Sequence, residues 1–129
     1  LNKELNAAIR LPPKIFAASS PYWADNKPDG EHYITDGPYM YRTSKGKLLL
    51  TWSTFVNHKY CQCVARSSDN ELNGVFEHLP LLIDNDGGHG MIFKAENKLY
   101  LSFHTPNTNG QEHPKFIEIK DTGDSIELA

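Results

Sequence analysis

The chain has 129 residues, 39% hydrophobic and 22% charged, and its 13 Lys and Arg against 16 Asp and Glu give a net charge of −3. That length suits one compact domain, the composition excludes wholesale disorder and a collagen-like repeat, and the acidic balance argues against a nucleic-acid partner. No apolar run approaches the roughly 20 residues that span a bilayer, so no membrane role is expected. Lys3, Glu4 and Arg10 do not fit a secretory leader. A secreted or periplasmic domain stripped of its leader reads the same way, which leaves the compartment open.

In chain order, residues 1–9 are the one helical candidate, cut short by Pro12 and Pro13. Residues 14–20 read as a short leading strand that ends at Pro21. Residues 39–43 and 47–53 flank Ser44-Lys45-Gly46 and predict a hairpin. Residues 60–66 form another strand, closed by the polar stretch 67–73 and Gly74. Residues 91–95 and 98–104 flank Glu96-Asn97, again a hairpin, and 116–120 and 125–128 flank the turn residues 121–124. Cys61 and Cys63 alternate on one face of a strand. They are too close along the chain for an unstrained disulfide, and no second Cys or His couplet completes a zinc set, so both read as ordinary buried thiols.

The strands repeat. At an offset of 51, residues 37–40 lie over 88–91, and 47–54 lie over 98–105 without a gap. Lys47, Leu48, Leu50 and Thr54 recur as Lys98, Leu99, Leu101 and Thr105, and Trp52 is matched by Phe103. The next strands correspond after a two-residue slip, residues 63–66 with 116–119. A four-strand unit of about 50 residues is the size of a β-propeller blade. The expected fold is therefore all-β: a partial β-propeller of about two four-stranded blades plus a leading strand. Residues 1–129 form a single domain, with units at 36–86 and 87–129 after a leading segment 1–35.

Five stretches resemble glycoside hydrolase family 43, five-bladed propellers that act on arabinose- and xylose-containing glycans. They are Thr35-Asp36-Gly37-Pro38-Tyr39-Met40-Tyr41-Arg42, Leu48-Leu49-Leu50-Thr51-Trp52-Ser53, Val64-Ala65-Arg66-Ser67, Gly74-Val75-Phe76-Glu77-His78 and Asp86-Gly87-Gly88-His89-Gly90-Met91-Ile92-Phe93. The likeness runs over about residues 14–128 and matches the later part of such a propeller, without its early blades. Five units of the observed period need about 255 residues.

What the resemblance implies is inverting hydrolysis by an acid and a base carboxyl about 6.5–9.5 Å apart. Asp36 stands where the family carries its general acid, a Glu one methylene longer. The family's base and its acid-tuning Asp come from early blades, and Glu4, Asp25, Asp29 and Glu31 lack the strand context to replace them. Each such participant is worth roughly 10²–10⁴-fold, so the chain alone is expected to be inactive or nearly so. The resemblance also implies that His89 points to the propeller axis and holds a structural calcium ion or a water. No other cofactor is required.

Trp23 and Phe55, placed in loops, are the candidate sugar platforms, and His104 the candidate polar contact, with His113 a weaker one. Trp52 reads as core, Arg66 as half of a structural ion pair, and Asp84-Asn85-Asp86-Gly87 as an inter-blade turn rather than a calcium loop. The expected partners are a plant-type oligo- or polysaccharide and, because half a propeller leaves sheet flanks open, a second copy or a partner chain. The alternatives are a noncatalytic carbohydrate-binding or protein-interaction module from the same propeller, and a β-sandwich of unrelated function.

Overall fold

The computed structural model describes residues 2–7, 13–24 and 33–129. Eight strands follow in order: β1 (Asp36–Arg42), β2 (Leu48–Val56), β3 (Lys59–Ser67), β4 (Phe76–His78), β5 (Gly88–Ala95), β6 (Lys98–Thr105), β7 (His113–Asp121) and β8 (Ile126–Leu128). They form two antiparallel meanders, β1-β2-β3-β4 and β5-β6-β7-β8. The fold is a partial β-propeller of two four-stranded blades, with β5 laid against the first sheet.

The local chemistry accounts for the turns. Asn57-His58 and Glu96-Asn97 each place two consecutive residues at positive φ, between 48° and 63°. Such two-residue turns match the twist of antiparallel strands. Two expectations fail in the leading segment. No strand forms over residues 14–20, where Ser20 N–H closes a turn on the Ala17 carbonyl and Pro21 begins another with Ala24. The helix expected over residues 1–9 is absent from its described part. There the Asn2 side chain accepts from the backbone of Asn6 and Ala7, a local competitor of helix formation; residues 1, 8 and 9 lie outside the described residues.

The repeat is real, but its frame needs correcting. Tyr39 pairs with Thr51 and Thr51 with Val64, while Met91 pairs with Ser102 and Ser102 with Phe116. The offset is therefore 51 on the second strand of each blade but 52 on the first and third. Five residues separate the paired Arg42 and Leu48, whereas four separate Lys94 and Leu99. That single residue in the hairpin turn shifts the first strand, and a one-residue shift exchanges the faces of a strand. Gly37 is thus equivalent to His89 rather than to Gly88, and both sit at positive φ, 50° and 58°.

Packing differs between the blades. Strands β2 and β3 are buried almost throughout, whereas β5 alternates between buried and exposed positions. The first sheet is covered on both faces. On one side Leu49 and Val64, with Tyr39 and Tyr41, meet Ile92, Leu101, Phe103, Ile119 and Ile126 of the second sheet. On the other, Trp52, Cys61 and Cys63 lie under Phe16, Ala18 and Trp23 of the leading segment. Far from β5's first residues, Asp121 pins the blades by accepting from the Tyr41 hydroxyl at 2.9 Å and the Ser44 N–H at 2.6 Å. Burial and this hydrogen bond push the Tyr41 hydroxyl up to about 12.

Leu101 is fully buried between the sheets, so Leu101→Ala is expected to destabilise the chain by about 3 kcal/mol. Urea unfolding followed by far-UV circular dichroism should show a lower midpoint at unchanged slope, whereas Phe116→Ala, at an exposed position, should shift it far less.

Candidate functional site

The two blades meet most closely where β5 begins. A Cβ on Gly88 would stand 2.7 Å from Tyr60 Cε1 and 2.8 Å from Ser53 Oγ, distances no side chain tolerates. Ser53 Oγ accepts the His89 N–H at 2.7 Å, Gln62 Oε1 accepts the Gly90 N–H at 2.7 Å, and the Tyr60 carbonyl accepts the Gly87 N–H at 2.7 Å. Buried side chains and backbone of β2 and β3 therefore satisfy the inner edge of the neighbouring blade, as buried polar groups require.

This seam brings Asp36 and His89 together. The pairing register shifts between Asp36 and Tyr39 in β1, and between Gly88 and Met91 in β5. A bulge of this kind re-aims side chains. Asp36 Oδ2 accepts the Tyr60 hydroxyl at 2.7 Å and lies 3.1 Å from His89 Nδ1, while Oδ1 accepts the Gly37 N–H at 2.9 Å. The side chains of Asp36 and His89 remain 44% and 54% exposed, so the pair sits at the surface while Tyr60 beneath it is buried.

The electrostatics follow from those donors. The Tyr60 hydroxyl holds the Asp36 carboxyl below its ordinary 3.8; partial burial opposes this, and His89 and the Gly37 N–H reinforce it. The same pairing, after burial, pushes the Tyr60 hydroxyl far up. Asp36 is therefore a carboxylate at neutral pH: an acceptor, with no proton to give.

His104, at the end of β6, belongs to the same group. Its ring stacks on Tyr60 at 5.3 Å and 15°, lies 6.3 Å from the His89 ring, and places Nε2 2.9 Å from Asn107 Oδ1. An open concavity of about 410 Å³ runs from His89 and His104 to Glu112, His113 and Phe116. A second one, of about 260 Å³, lies between Asp36, Trp52, Lys14 and Phe16. Phe55 touches Tyr60, with ring centroids 5.2 Å apart, but it lies on β2 and not in a loop as expected. Trp23 is spent in the core: it stacks on Trp52 at 5.9 Å and its indole N–H donates to the Leu79 carbonyl at 2.9 Å. It is no open sugar platform.

Other expectations are placed as follows. Trp52 is buried, and Arg66 pairs with Glu77 at 2.7 Å. Asp86 lies in the turn between the blades, where its carbonyl accepts the Thr105 hydroxyl and its carboxylate the Asn107 N–H. Asp25, Asp29 and Glu31 lie outside the described residues. Among the described residues no three His, Cys, Asp or Glu side chains group to hold a metal ion. His89, with Nδ1 facing Asp36, brings a single ring nitrogen, so a calcium ion here would take most of its six to eight oxygens from water or from residues beyond those described. Sequence reasoning missed Tyr60, Ser53 and Gln62. The one signal for Tyr60 was its place beside the hairpin turn opposite Phe55.

Because its value is lowered, Asp36 stabilises the fold above pH 3.8, and that contribution is lost as pH falls through the folded-state value. Tyr60→Phe is expected to raise the Asp36 titration midpoint toward the ordinary value in carboxyl-carbon NMR and to weaken the acid-sensitive part of the stability. An unmoved midpoint would contradict the assigned hydrogen bond.

No protein-family model and no curated protein matches the chain. Two solved structures do. An endo-arabinase from Bacteroides thetaiotaomicron is 34% identical at a TM-score of 0.74, over 82% of this chain and 39% of that one. An exo-1,5-α-L-arabinanase from a bovine ruminal metagenomic library is 20% identical at a TM-score of 0.61, over 100% of this chain and 48% of that one, a likeness of fold. The chain thus spans less than half the length of each. The resemblance to a glycoside hydrolase family 43 propeller holds at the level of the whole chain, and over most of its length the chain is similar to part of an endo-arabinase.

Proposed function

We propose that the Asp36–His89–His104 end of the two blades is part of an arabinan-directed carbohydrate site of the glycoside hydrolase type. The observation that carries this reading is the convergence of these three side chains beside an open concavity, in a chain 34% identical to an endo-arabinase. An ionised Asp36 and two imidazoles offer acceptors and donors to sugar hydroxyls, and the exposed Phe116 ring offers an apolar wall for a sugar face. In this reading Asp36 occupies the general acid's position, and hydrolysis depends on a base carboxylate from beyond the described residues.

A second reading, noncatalytic binding, is favoured by one specific feature. A general acid must be protonated before it acts, yet Tyr60, His89 and the Gly37 N–H all stabilise the ionised form of Asp36. The residues described here are better arranged to bind than to cleave.

Arabino-oligosaccharides titrated into the labelled chain should shift the Asp36, His89 and His104 resonances, with affinity at least about tenfold weaker in Asp36→Ala, the loss expected of a charged hydrogen-bond partner. Absence of shifts at millimolar sugar would refute the site. Turnover of an aryl arabinofuranoside that survives Asp36→Asn would refute the acid assignment.

A further inference from the structure

On the face of the first sheet that meets β5, polar side chains adjoin the apolar core of Leu49 and Val64. Asp36, Ser53 and Gln62 lie opposite one another in the strand pairing, a row across β1, β2 and β3. Ser53 and Gln62 are fully buried, and every polar atom of their side chains is used, as such burial demands. Gln62 Nε2 donates to the Trp52 carbonyl at 3.0 Å, which leaves the amide oxygen turned toward the second blade. That oxygen accepts the Gly90 N–H at 2.7 Å. Ser53 Oγ donates to it at 3.5 Å and accepts the His89 N–H at 2.7 Å. Successive amides beside a left-handed residue make a concavity for acceptors, and here the protein's own oxygens fill it.

His89 is that left-handed residue, at φ 58°. Its ring lies over Gly37, where a Cβ would stand 2.9 Å from both Cγ and Cδ2, and its Nδ1 is 3.1 Å from Asp36 Oδ2. The corrected repeat shows that this arrangement is no general property of a blade. The equivalent row of the second sheet is Gly88, His104 and Pro114, which brings neither a hydroxyl nor an amide side chain. We propose that Ser53 and Gln62 are positioning residues: by fixing the His89 and Gly90 amides they set the His89 ring against Asp36. Both are fully buried, so their effect on a ligand acts through His89. The positioning is independent of what binds, and only its consequence for affinity rests on the carbohydrate reading above.

NMR of the labelled whole chain tests the assignment. In Ser53→Ala the His89 ring and Asp36 carboxyl signals should move, and the His89 amide should exchange with solvent at least about tenfold faster. Gln62→Met should do the same at Gly90 and move the same ring signals. Ser53→Thr, which keeps the oxygen, should restore the parent signals. Tyr41→Phe removes a hydrogen bond from the opposite contact between the blades, and should lower the urea midpoint with the site signals in place. Site signals unmoved in Ser53→Ala and Gln62→Met would overturn the proposal. So would a Tyr41→Phe chain that moves them equally, because Ser53 and Gln62 would then serve blade packing alone. Should Ser53→Ala not fold, Ser53→Cys, a weaker acceptor in the same place, should displace the signals part-way, and unmoved signals there count equally against the proposal. A parent chain that binds arabino-oligosaccharides should do so about tenfold more weakly as Ser53→Ala. One that binds none would sink the carbohydrate reading and leave the positioning to stand on the signals alone.

Discussion

Everything at the upper end of this molecule depends on how closely the backbone of one blade approaches the other. At Gly88 there is no room for a side chain between β5 and Tyr60 and Ser53. With the strands this near, the amides of Gly87, His89 and Gly90 reach acceptors on β2 and β3. The same approach puts the His89 ring against the Asp36 carboxylate. His89 adopts a left-handed backbone conformation that non-glycine residues rarely take and that clusters at functional sites. The surrounding hydrogen bonds hold it there. The site is thus a property of the seam rather than of either blade.

Much of the architecture was legible because it depends on patterns confined to short stretches. Seven of the eight strands were visible as apolar runs between turn residues; β4, three residues long, was visible only as part of a longer motif. The repeat was visible because Lys, Leu and Thr recur along its second strand. Its frame on the flanking strands was not, since Ser44-Lys45-Gly46 and Glu96-Asn97 differ by a residue that an ungapped comparison cannot weigh. The leading segment misled for a related reason. Apolar residues at 15–18 resemble a strand, yet their partner is the broad face around Trp52, and a strap of turns covers it as well as a strand would.

The candidate site was legible in part. Asp36 and His89 stood out because glycine and proline frame them, and the structure joins them through a hydrogen bond. The character of Asp36 was hidden. Whether a carboxyl serves as proton donor or acceptor depends on what points at it, and the decisive donor, Tyr60, lies 24 residues away in a strand whose sequence reads as plain core. Trp23 shows the converse error. An aromatic residue near polar neighbours looks like a platform until the fold shows which ring it already touches.

The aromatic cluster beneath the leading segment has one more consequence. The chain contains two tryptophans, and they stack on each other there, with Phe16 and His78 edge-on or tilted around them. The second blade has none. Indole emission therefore reports on the first blade and its strap alone, where the His78 ring packs edge-on against both indoles. A partial unfolding that peels the second blade away would leave that signal nearly unchanged, while release of the strap would alter it with both sheets intact. The chain thus carries an optical label on one of its two interfaces and is dark at the other.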